Sequence, residues 1–87
     1  MIDISTESFC ARRLKVLADP TRLAVLRILL EDAKQVGQLN AVLKIEQSLL
    51  SHHLKILRAE QFVVAQRDGK AMLYTLAPGV ADPEGKG

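Results

Sequence analysis

What most constrains this chain is a change of hydrophobic period at Gln61. Upstream, apolar residues recur every three or four positions, the spacing of a helix face; downstream they alternate, the spacing of a strand. The alternating stretch is divided by Asp68-Gly69, with Phe62 to Arg67 on one side and Lys70 to Leu76 on the other. Asp-Gly between alternating runs predicts a hairpin closed by a two-residue type I′ turn. Pairing Arg67 with Lys70 sets Ala65 opposite Met72 and Val63 opposite Tyr74, so these four share one apolar face. With 87 residues the chain has enough length for one small core. The hairpin must therefore pack against whatever precedes it.

Four helices precede it. Residues 1–6 read as an arm leading to Ser5 or Thr6, either of which can cap a helix. A first helix is predicted from Glu7 to Ala18, with Phe9, Arg13 and Val16 on one stripe and Cys10, Leu14 and Leu17 on the next. Arg12, Arg13 and Lys15 read as a solvated face. Asp19-Pro20 ends this helix and starts another, because Asp caps well and Pro suits the first helical position. The second helix runs to Leu30 with a core stripe of Leu23, Leu26 and Leu30, widened by Val25 and Leu29. Residues 31–34 read as a polar turn. A third helix follows from Val36 to Leu43, with Val36, Leu39, Val42 and Leu43 inward, although Gly37 weakens it. After Lys44-Ile45-Glu46, the fourth runs from Gln47 to Ala59 with Leu50, Leu54 and Leu57 inward. Residues 78–87 read as a flexible tail.

Several function classes fall away. Two Phe, one Tyr and no Trp make a poor stacking platform for bases or sugars. A single cysteine supports neither an intrachain disulfide nor a Cys-rich zinc site. His52 and His53 are adjacent, about 100° apart around a helix, so they do not converge on a metal. No nucleophile–base pair, carboxylate pair or phosphate-cradling glycine loop has credible spacing, so no enzyme, cofactor or metal is expected. With no long apolar run and no leader, the expectation is a cytoplasmic domain without a membrane contact.

The net charge of +2 says little, but its placement says more. From Gln47 to Ala59 there are Lys55, Arg58 and two histidines, and no acid. Two short helices joined by a three-residue turn and followed by a two-stranded ribbon make a winged helix-turn-helix, mainly α with a β-hairpin wing, over residues 7–77. In that fold the second helix of the pair fits the DNA major groove. Gln47, Ser48 and Ser51 then reach base edges, and Leu49 can meet a thymine methyl. Lys55 and Arg58 meet phosphate, and Arg67 and Lys70 at the ribbon tip touch backbone or minor groove.

Three motifs in order carry a family resemblance: Leu17-Ala18-Asp19-Pro20-Thr21-Arg22-Leu23, the run Gln47 to Arg58 with its Ser51-His52-His53-Leu54-Lys55 centre, and Arg67-Asp68-Gly69-Lys70 with Tyr74. The sequence resembles the ArsR/SmtB family of bacterial winged-helix repressors over roughly residues 7–77. The resemblance implies a homodimer on operator DNA that an inducer releases. It also assigns Gln47, Ser48, Ser51, His52 and His53 to the recognition helix and Arg67 to Lys70 to the wing.

Departures from that pattern are informative. Lys44 stands where a Gly is usual and Glu46 where a Ser cap is usual; Gln61 replaces the Gly that commonly follows the recognition helix. Family metal sites use Cys on the third helix or Asp and His on a C-terminal helix. The third helix here has neither Cys nor His, and residues 78–87 are not expected to supply the other helix. Dimerisation is then expected through the first helix. Cys10 reads first as packing; its alternative is a redox sensor pairing with its symmetry mate, with Arg13 favouring the thiolate. The alternative function is a winged-helix protein-interaction module, which would bind without the salt sensitivity of phosphate contacts.

Overall fold

The structure, a computed structural model, describes residues 4–80. Its elements are α1 (Ile4–Leu17), α2 (Pro20–Glu31), β1 (Lys34–Gln35), α3 (Val36–Leu43), α4 (Gln47–Ala59), β2 (Val63–Asp68) and β3 (Ala71–Leu76). This is a winged helix-turn-helix, with a small antiparallel sheet in the order β1-β3-β2. The parts of the expected arm and tail at residues 1–3 and 81–87 lie outside the described residues. Residues 4–6 are helical, so Ser5 and Thr6 are not caps. Pro78–Val80 form a turn in which the Val80 N–H donates to the Ala77 carbonyl at 3.1 Å, and Val80 packs on the core.

Asp19 breaks the chain between α1 and α2 as its chemistry requires. Its Oδ1 accepts from the backbone N–H of Thr21 at 2.8 Å and of Arg22 at 3.0 Å, with Pro20 at the first helical position. The core gathers Val16, Val25, Leu26, Leu29, Leu39, Leu50, Leu54, Leu57, Phe62, Val63 and Tyr74. On α2 the buried residues are Val25, Leu26 and Leu29, whereas Leu23 and Leu30 face outward, Leu30 at 61% exposure. Five apolar residues spread round a helix leave its inward side to be chosen by its neighbours, and α1, α3, α4 and β3 select the Val25–Leu29 side. On α3, Leu39 is buried and Val42 is 61% exposed, so Val42 is not a core residue.

The sheet differs from expectation in two ways. Residues 34–35, read as part of a turn and its exit, pair with β3 as a third strand, Lys34 opposite Tyr74 and Gln35 opposite Leu73. Gln35 also starts α3, its N–H donating to Gln38 Oε1 at 2.8 Å. The hairpin closes at Asp68 opposite Ala71, so Gly69-Lys70 form the loop and Ala65 faces Tyr74. Gly69 has φ +65, which suits the first position of a type II′ turn rather than the I′ turn expected. This register also avoids setting Arg67 directly against Lys70, a destabilising like-charge pair. Because the pleat repeats every two residues, Val63, Ala65, Met72 and Tyr74 still share the inward face.

Candidate nucleic-acid interface

α4 has two chemically distinct sides. Leu50, His53, Leu54 and Leu57 are buried, while Gln47, Ser48, Leu49, Ser51, His52, Lys55 and Arg58 are exposed. Helical spacing puts Ser48, Ser51, His52 and Lys55 down the middle of the outer face, with Gln47 and Arg58 along one edge and Leu49 along the other. No acid lies between Gln47 and Ala59. Leu49, 45% exposed, is an apolar group set among hydrogen-bonding ones.

The turn before α4 is closed by a residue that sequence reasoning did not single out. Asn40 Nδ2 donates to the Ile45 carbonyl, while the Lys44 N–H donates to the Asn40 carbonyl at 2.7 Å. Lys44 adopts φ 56, the left-handed region that Gly enters without strain. Glu46 precedes the helix without a side-chain cap bond and sits exposed at its positive end. An Asn four residues before a turn is a visible signal only once the helix end is known.

The other end of α4 closes as a Schellman motif. The Phe62 N–H donates to the Leu57 carbonyl at 2.8 Å and the Gln61 N–H to the Arg58 carbonyl at 3.0 Å, with Gln61 at φ 64. Phe62 and Leu57 are both core residues, supplying the apolar contact that accompanies this motif. Gln61 thus takes up the left-handed position where a Gly would be free of strain.

His53 does not belong to the outer face. It is 8% exposed, its Nε2 lies 4.0 Å from Asp19 Oδ1, and its Nδ1 is buried without a hydrogen-bond partner. Its place at the margin of the leucine stripe turns it toward the start of α2. The carboxyl of Asp19 is held below the usual carboxylate value, chiefly by the Arg22 N–H; burial opposes this, and the His53 field and the Thr21 N–H add to it. His52 stays outside, its ring centroid 5.7 Å from that of His53 at an interplanar angle of 62°. Among the described residues, no group of three or more His, Cys, Asp or Glu is placed to hold a metal ion.

The wing presents Arg67, Asp68, Gly69 and Lys70, all exposed, with Lys70 in the loop and Arg67 opposite Met72. On α1, Cys10 is exposed, so its side chain is not packed in the core of the chain as expected. Leu14 on the same stripe is also exposed, while Leu17 at its end packs against the core. Arg13 is not part of a solvated face: its guanidinium sits 4.2 Å from the Phe62 ring centroid and donates to the Glu60 carbonyl at 2.7 Å.

This geometry coincides with a known family. The family model for bacterial regulatory proteins of the arsR family matches residues 19–64, from the Asp19 cap to the start of the first wing strand. The chain belongs to the ArsR family. Its crystallographic neighbour Rv0081 of Mycobacterium tuberculosis superposes with a TM-score of 0.84 at 35% identity, covering 91% of this chain and 80% of that one. Rv0081, described as an HTH-type transcriptional regulator, is 41% identical over 70 residues, which are 78% of this chain and 61% of that protein. The transcriptional repressor SmtB of the same organism is 42% identical over 64 residues, 74% of this chain and 47% of SmtB. The solution structure of a homodimeric winged helix-turn-helix DNA-binding domain, Mb0332 from Mycobacterium bovis, gives a TM-score of 0.81 at 25% identity, covering 93% of this chain and 78% of that fragment. The chain therefore spans about half to three-fifths of the length of these curated relatives.

Proposed function

We propose that this chain binds double-stranded operator DNA as a homodimer and represses transcription in the cytoplasm until an inducer releases it. The observation that carries the reading is the outer face of α4: Ser48, Ser51, His52 and Lys55 without an acid, on a helix whose opposite side is core. Gln47, Ser48 and Ser51 read base edges, with Leu49 available to a thymine methyl. His52 donates to a base edge or phosphate, Lys55 and Arg58 to phosphate, and Arg67 and Lys70 bring the wing to the backbone or minor groove. His53, assigned by its motif to the same helix, serves by seating α4 on α2. Exposed Leu14 and Cys10 lie one turn apart on α1, the helix through which the copies pair.

The reading is supported by the family to which the chain belongs and by the DNA-binding homodimer among its structural neighbours. Selection from genomic fragments by the purified protein tests it. Enriched fragments should share two half-sites about one helical turn apart. Fragments no different from the starting library would contradict it. A redox signal at Cys10 would show as a disulfide-linked dimer on a non-reducing gel after mild peroxide; a persistent monomer band assigns release to another inducer.

A further inference from the structure

We infer that Arg13 is a positioning residue for DNA binding: from α1 it holds the C-terminus of α4, so the pairing helix sets the angle of the helix that enters the groove. The inference rests on the DNA-binding reading above. α1 is lightly anchored, with Val16 its one buried residue among those described and Ile4, Phe9 and Leu14 exposed. Arg13 crosses 47 positions of sequence to donate from Nη1 to the carbonyl of Glu60, the C-cap of α4. The last carbonyls of a helix have no intrahelical donor. Those of Leu57 and Arg58 are taken by Phe62 and Gln61, and that of Glu60 by Arg13.

Three interactions fix this guanidinium. It meets the negative end of the α4 dipole, it lies over the buried Phe62 ring, and Phe9 stands 5.5 Å away on its own helix. Arg12 also reaches Glu60, Nε to Oε1 at 3.3 Å, but its side chain is 63% exposed and such pairs contribute little. Arg13 therefore carries the joint. Around it lies a cleft of about 180 Å³, so α1 and α4 are bridged by side chains there rather than packed solid. Removing the bridge lets the helices turn relative to each other. In a dimer built on α1, that turn changes the separation of the two copies of α4, and with it the half-site spacing the dimer accepts.

Arg13→Met keeps an unbranched stem and removes donor and charge; Arg13→Lys restores both in part. Selected operator fragments are remade with base pairs inserted between the half-sites. The wild-type protein should lose affinity about tenfold or more on re-spacing, whereas Arg13→Met should bind the native spacing about tenfold less well and scarcely distinguish it from the altered ones. Arg13→Lys should fall between. An unchanged spacing profile in Arg13→Met, or a uniform loss that tracks lowered thermal stability, overturns the inference and leaves Arg13 a purely structural contact. Residual dipolar couplings on the DNA-free protein separate the helix joint from DNA recognition. A shifted α4 axis relative to α1 in Arg13→Met supports the joint, and an unmoved axis overturns it whatever the DNA result. A wild-type protein that selects no DNA contradicts the DNA-binding reading itself, and the role of Arg13 in recognition with it.

Discussion

Asp19 performs two tasks with one carboxylate. It caps α2 through two backbone N–H groups and stands 4.0 Å from the buried His53 of α4. Asp19→Ala should destabilise the fold by about 0.5–2 kcal/mol in denaturant titration, the usual range for a lost N-cap. Because folding lowers the Asp19 pKa, its charged form stabilises the protein above the ordinary value of 3.8, and that contribution drains away as the pH falls below it. The stability gap between wild type and Asp19→Ala should accordingly narrow in acid; a gap that widens there contradicts the assignment. Gln61 makes the opposite point. Held at φ 64 by the Schellman bonds, it should be improved by Gly: Gln61→Gly is expected to raise stability by about 1 kcal/mol, since the left-handed region costs an L-residue about 1–2 kcal/mol. Destabilisation in the same titration would mean that the Gln61 side chain contributes more than its backbone strain takes away.

At the scale of elements, α4 divides its residues between seating and reading. If Gln47 reads a base from its first turn, Gln47→Ala should relax preference at one operator position by about 1–3 kcal/mol, measured over a panel of single-base variants. Equal losses on operator and random DNA would move Gln47 to a phosphate role. Much of this element was legible beforehand. The bounds of α3 and α4 follow from their leucine spacing and the Lys44-Ile45-Glu46 break, and the outer residues of α4 follow from the same period. His53 belongs by its motif to the recognition helix, but a position at the edge of an apolar stripe can turn either way, and the structure turns it toward Asp19. Strand β1 was invisible, since two residues carry no period and Lys34-Gln35 form a strand only because β3 offers an edge. The misread side of α2 and the outward Cys10 share a cause: which face is buried depends on neighbours that local spacing does not encode.

For the whole molecule, the exposed Leu14 on the lightly anchored α1 is where pairing should be most easily broken. Leu14→Glu should convert the dimer to folded monomer in sedimentation experiments and weaken operator binding with it. A dimer that survives would place the contact elsewhere. If the outer face of α4 and the wing meet DNA, each copy brings four cations to it: Lys55, Arg58, Arg67 and Lys70. The most direct test of that contact is the dependence of affinity on salt. If all of these in a dimer meet phosphate, the logarithm of the binding constant should fall with the logarithm of salt at a slope of about −7, and Lys70→Ala should flatten it by about two. A binding constant indifferent to salt, for wild type and variant alike, would contradict the account.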